Sequence, residues 1–264
     1  MPFTTLSSGS KIFYTTAGDL AAPPIVFIHG LGSSQNYYFA QLQALKTTHF
    51  VLLFDTPGSA QSPVPSSPLT VASIVSDVAG LMKFVGITKP AIVVGHSLGG
   101  LLATFLALMH PSLVAGMVLL GPIYPSAALA SLFSTRMKAV AEGGSVEAIF
   151  NTVPVTALGS KSTLIQQAFA RELISRQTPQ GYSATCGVIA NLPTPDFSGY
   201  VAKPVIVLVG ADDKTAPFKG CVENVATGLS ADVEYLEGVG HWHALEDPDA
   251  VTAAILKLAQ RLET

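Results

Sequence analysis

The sequence predicts an α/β fold: a mostly parallel twisted sheet flanked by helices, with a helical lid inserted after a central strand. Three observations predict it. Short, almost wholly apolar runs recur along the chain, at 25–28 (IVFI), 50–55 (FVLLFD), 91–95 (AIVVG), 114–121 (VAGMVLLG) and 205–210 (VIVLVG). Strands buried on both faces look like this, and parallel sheets bury both faces. Helix-patterned segments separate the runs, the alternation that places helices on either side of a sheet. From 122 to 203 that rhythm stops, and only helical segments are found. The expected organisation is therefore a core of residues 1–121 and 204–264 carrying an inserted cap of residues 122–203.

Taken in order, Thr4–Leu6 and Ile12–Thr16 alternate well enough for edge strands. IVFI follows two prolines and closes on His29-Gly30, and residues 34–46 then have helical spacing. TPGSAQSPVPSSP after the second buried run is a loop, because proline and serine dominate it. A helix starts at Thr70, with Val71, Ile74, Val75, Val78, Leu81 and Met82 on one face. AIVVG is followed by GHSLGG and the helix LLATFLALM. In the insertion, 126–142, 145–150, 161–175 and 179–190 are helical, separated by prolines and glycines. VEYLEG at 233–238 is the last strand, and a helix runs from about Pro248 to the end. The insertion leaves the carboxyl end of a strand, the edge where such sheets bind ligands, and is therefore read as a lid over the site.

Composition excludes several classes. Charged residues are 12% of the 264, against roughly 25% in an average globular chain, and apolar residues are 49%. A core of that size needs neither disulfides nor a metal. The net charge of −3 gives no reason to expect nucleic acid or an acidic membrane surface as partner. The two cysteines, Cys186 and Cys221, read as free thiols of a reducing compartment. The N-terminal residues lack the basic and apolar regions of a signal peptide, and GLLATFLALM is too short to span a bilayer, so a cytoplasmic location is expected.

Chemistry concentrates in four places. Gly95-His96-Ser97-Leu98-Gly99 lies between a strand and a helix, the context of a nucleophile elbow. Small residues let the backbones pass closely, and the serine hydroxyl stands clear of the sheet above a helix N-terminus. His29-Gly30-Leu31-Gly32 follows the first buried strand. An oxyanion hole in such a fold combines the N–H after the nucleophile with one from this loop, which assigns the backbone amides of Leu98 and Leu31. In Gly210-Ala211-Asp212-Asp213, either aspartate could orient a histidine; Asp213 is preferred as the acid of the G-x-x-D-x-x-x-P pattern. Of the six histidines, His241 in GVGHWHALEDP is preferred as base, with His243 the alternative; His96 reads as cavity wall and His29 as structural. The order Ser97, Asp213, His241 is nucleophile, acid, base.

These residues resemble the α/β-hydrolase superfamily over nearly the whole chain. FDTPGSAQS (54–62) is similar to its D-x-P-G-x-G-x-S loop, with Ala60 where glycine is usual and Asp55 a structural residue. TPQGYSATC (178–186) and KPVIVLVGADD resemble segments of 3-oxoadipate enol-lactonases. Leu98, where those enzymes carry methionine, and the His29-Gly30 pair depart from them, and many carboxylesterases share HGLG and GHSLGG. The resemblance implies hydrolysis of a small-molecule ester or lactone through an acyl-enzyme, with no cofactor and no metal. Carbon–carbon bond hydrolysis of a diketone by the same triad is an alternative, as is a receptor that retains the triad. Were the substrate a carboxylated lactone, one of the lid cations Arg136, Lys138, Lys161, Arg171 and Arg176 should turn inward, and Arg171 is chosen first.

Overall fold

The computed structural model describes residues 2–263. Its single sheet has eight strands: β1 (Phe3–Thr5), β2 (Lys11–Ala17), β3 (Pro24–Ile28), β4 (Phe50–Phe54), β5 (Ala91–His96), β6 (Val114–Leu120), β7 (Val205–Gly210) and β8 (Asp232–Leu236). Their spatial order is β1-β2-β4-β3-β5-β6-β7-β8. The hairpin β1–β2 is antiparallel, β2 joins β4 antiparallel, and all later pairings are parallel. In register, Val26 lies between Leu52 and Val93, and Val118 lies opposite Ile206.

The apolar runs are strands because both of their faces find cover. Val26, Leu52, Val93, Met117 and Val207 enter one core. Their neighbours Ile25, Val51, Ile92, Val118 and Ile206 enter the other, as the two-residue period of a strand requires. Helices α2 (Val71–Phe84), α3 (Leu98–Met109) and α8 (Glu223–Leu229) cover the first face. Helices α1 (Phe39–Leu45) and α10 (Pro248–Glu263) cover the second. All six apolar positions expected on α2 are buried, and Thr70 caps it in a reciprocal capping box with Ser73.

Between β6 and β7 the chain forms four helices, α4 (Ala127–Gly143), α5 (Glu147–Thr156), α6 (Leu164–Ser175) and α7 (Pro179–Ala190). They divide between the cores: Phe133 and Val140 of α4 and Tyr182 of α7 join the first, whereas Leu173 and Ile174 of α6 join the second. Helix α5 runs six residues past the expected end at Phe150, through Pro154. A proline there forfeits its bond to the carbonyl of Phe150 and crowds that carbonyl, and the Pro154 ring is buried. A short helix α9 (His243–Glu246), unforeseen in the sequence, precedes α10.

Candidate active site

The loops leaving β3, β5, β7 and β8 gather at the carboxyl edge of the sheet, because parallel strands end together. Ser97 stands between β5 and α3 with φ 54° and ψ −117°, a strained conformation for a residue with a side chain. Its N–H donates to the carbonyl of Leu120 on β6 (2.9 Å), which anchors the turn. The flanking glycines are required by close approach. A Cβ on Gly95 would lie 2.3 Å from the Gly99 carbonyl oxygen, and one on Gly99 would lie 2.1 Å from that of Ile28. Leu98 begins α3, so its N–H has no acceptor within the helix.

Asp213 and His241 meet across the loops after β7 and β8. His241 Nδ1 donates to Asp213 Oδ2 at 2.8 Å, and both side chains are buried. Asp213 Oδ1 accepts from the N–H groups of Thr215 (2.8 Å) and Ala216 (2.9 Å). Burial alone would raise the Asp213 carboxyl. The charge and hydrogen bond of His241, aided by His243 and the Ala216 amide, outweigh burial and hold it below the ordinary aspartate value. Because a carboxylate can only accept, Nδ1 carries the proton and a neutral His241 offers the Nε2 lone pair.

The backbone of His241 is fixed on every side. Its N–H donates to Ala157 of the insertion (2.7 Å), and its carbonyl accepts from His96 Nε2 (2.7 Å) and His243 Nδ1 (3.0 Å). This separates the two candidate histidines. His243 is fully buried and its Nε2 accepts from the Gly210 N–H at 3.0 Å, so both of its nitrogens are engaged. The aspartates separate as well: Asp212 is not buried and accepts from the N–H (2.8 Å) and hydroxyl (2.6 Å) of Ser160. His29 is engaged too, Nδ1 with the Gly30 carbonyl (2.8 Å) and Nε2 with the Thr56 N–H (3.0 Å).

Ser97, His96 and His241 line a cavity of about 220 Å³, as does Leu31. Every helix of the insertion contributes to its wall: Leu129, Leu132, Phe133 and Arg136 from α4, Val153 from α5, Ile174 from α6, Tyr182 and Ile189 from α7. Arg171 does not join them, which corrects the expectation of an inward Arg171. On α6 the buried face holds Ala170, Leu173 and Ile174, leaving Arg171 exposed. Its guanidinium lies 4.7 Å from the centre of the Phe150 ring and donates to Asn151 Oδ1 at 3.0 Å. An exposed cation keeps its hydration, which an inward turn would forfeit. The lid cation on the cavity wall is Arg136. Its signal in the sequence is its spacing, three residues after Phe133 and four before Val140, on the apolar face of α4.

The chain as a whole has relatives among known proteins. A model of the alpha/beta hydrolase family matches residues 25–254. The chain is 26% identical over 240 residues to a putative carbamate hydrolase RutD from a Caulobacter species, covering 88% of each. It is 24% identical to a 3-oxoadipate enol-lactonase of Acinetobacter baylyi, covering 94% of this chain and 92% of the relative. Among solved structures, the enol-lactonase of Burkholderia xenovorans superposes with a TM-score of 0.86 at 24% identity, covering 98% of this chain and 100% of that one. A thermophilic esterase from Thermogutta terrifontis superposes at 0.87 and 22% identity, covering 100% and 99%.

Proposed function

This chain belongs to the alpha/beta hydrolase family, and we propose that it cleaves a small carboxylic ester or lactone through an acyl-enzyme on Ser97. One observation carries the reading: an imidazole bonded at 2.8 Å to a buried carboxylate lines the same cavity as a serine on a strained elbow. Ser97 Oγ attacks the carbonyl carbon while His241 Nε2 takes its proton. Asp213 holds the ring and stabilises the imidazolium. The tetrahedral oxygen is received by the backbone N–H groups of Leu98 and Leu31, with the N-terminus of α3 adding positive potential. The bond to the alkoxy oxygen then breaks and that oxygen takes the proton from Nε2. Water, deprotonated by the same nitrogen, attacks the acyl carbon and releases the acid and Ser97.

The insertion acts as the lid, since all four of its helices wall the cavity. About 220 Å³ lies below the roughly 300–1,000 Å³ usual for ligand pockets, which favours a compact substrate over a long acyl chain. Two relatives carry the names putative carbamate hydrolase and enol-lactonase, and a carbamate and a lactone each offer a carbonyl carbon to a nucleophile. The test is labelling with a fluorophosphonate probe, followed by assay of a panel of esters, lactones and carbamates. The expected result is a single adduct on Ser97 and turnover of the esters or lactones. Undiminished labelling of Ser97→Ala would overturn the assignment of the nucleophile. Turnover of carbamates alone would overturn the ester reading.

A further inference from the structure

The charges on the cavity wall are of one sign. Arg136 and Lys214 line it together with the two histidines, and no aspartate or glutamate does. In a chain whose net charge is −3, a cavity of this composition is not the average surface folded inward. Arg136 is half-buried. Its guanidinium sits 5.1 Å from the centre of the Phe133 ring, and Nη1 is 3.5 Å from the Tyr182 hydroxyl. Neither neighbour neutralises it, and no carboxylate among the described residues pairs with it. Arg176, Lys257 and Arg261, by contrast, each have an acidic partner on the surface. Holding a guanidinium against apolar walls with no counter-ion costs solvation that a bound anion would restore. The rigid fork of its N–H groups matches a carboxylate through two parallel bonds.

We propose that Arg136, with Lys214 nearby, forms an anion subsite, and that the substrate carries a free carboxylate besides the carbonyl attacked by Ser97. This rests on the proposed hydrolase reading and names its substrate class. The substrates meant are monoesters of short dicarboxylic acids and lactones bearing an acid side chain. Tyr182 and Phe133 hold the guanidinium in place: the Tyr182 hydroxyl, pushed up to about 12 by burial, remains a neutral donor and acceptor beside it. The long stem of Lys214, at the cavity rim, would add a screened and weaker attraction.

The experiment compares hydrolysis of monomethyl glutarate with that of methyl 5-methylhexanoate, a neutral counterpart whose isopropyl end matches the carboxylate in shape, in wild type, Arg136→Gln and Arg136→Lys. It also titrates glutarate into Ser97→Ala protein with and without Arg136→Gln. The expected preference for the monoester in kcat/KM is at least about tenfold. Arg136→Gln should collapse the ratio mainly through KM, and Arg136→Lys should recover part of it, a pattern that misfolding would not give. Glutarate should bind Ser97→Ala protein, and the added Arg136→Gln should weaken it about tenfold or more. Equal rates on the two esters, or an unchanged ratio in Arg136→Gln, would overturn the subsite and leave the hydrolase reading intact. Glutarate binding that depends on Arg136, without turnover of any ester, would uphold the subsite and overturn the hydrolase reading. Absence of both would overturn both.

Discussion

Asp213 and Asp212 are adjacent and chemically identical, yet their surroundings separate them. Asp213 is buried with all of its acceptor capacity turned towards His241, Thr215 and Ala216, whereas Asp212 is spent on Ser160 at the surface. Asp213→Asn should therefore lower kcat by about 10⁴, because an amide in that place stabilises the wrong imidazole tautomer. Asp212→Asn should change kcat by no more than about twofold, as expected of a surface substitution. Steady-state kinetics of the two variants on one ester decides the matter; comparable losses in both would refute the assignment. At Ala60 the sequence shows a departure whose cost the structure makes plain. This residue stands where related loops carry glycine, and its φ of 46° lies in the region where a Cβ is unfavourable. The turn persists because the Ala60 N–H donates to Gln177 Oε1 at 3.2 Å and the Asp55 carboxylate accepts from Gln35 and Gln61.

At the scale of elements, the core strands and the order of the four chemical loops were legible, because burial on both faces writes a continuous apolar run. The face of α2 was legible for the same reason, through its 3.6-residue period. The contents of the cavity were not. Helical period shows which face of α4 or α6 is apolar, but the relation of either helix to Ser97 depends on tertiary packing. That is why Arg171 was chosen before Arg136. Also hidden was the bridge made by Glu246, whose partners are far apart in sequence. Oε2 accepts from the N–H groups of Gly159 (2.6 Å) and Gly240 (2.9 Å), and Oε1 from that of Trp242 (2.9 Å). This carboxylate thus ties the α5–α6 connection to the loop that carries His241. In Glu246→Gln an amide NH₂ must face at least one of those donors, at a cost of about 1–3 kcal/mol for the bonds lost. The expected outcome is a fall in kcat larger than any rise in KM, with faster amide exchange in 157–161 and 238–242. Unchanged exchange in those segments would show that the bridge does not hold the two loops together.

At the scale of the whole molecule, three buried histidines set the response to acid. Burial lowers His29 and His243 from 6.5 to about 4 and drives His96 well below its ordinary value, the neighbouring histidines adding to the effect on His96. A lowered value means that the unfolded chain binds protons the native protein refuses, so stability must fall as pH drops from about 6.5 towards 4. Asp55 acts in the opposite sense. Burial raises its carboxyl to about 6 against the hydrogen bonds from Gln35 and Gln61, so the native state takes up a proton first and gains relative stability as pH falls through 6. Near pH 5 each of the three histidines leaves the unfolded chain about one proton richer, and Asp55 leaves it about one poorer. Burial also lowers His49 and raises Glu246, one on each side of the balance, and the histidines outnumber the carboxyls, so stability falls with acid there. Urea denaturation at pH 7, 6 and 5 should show the free energy of unfolding falling progressively more steeply, with little change in the denaturant slope. Asp55→Asn should make the acid limb steeper by removing the opposing proton. A free energy that stayed level from pH 7 to 5 would contradict three neutral histidines sealed around one carbonyl edge of the sheet.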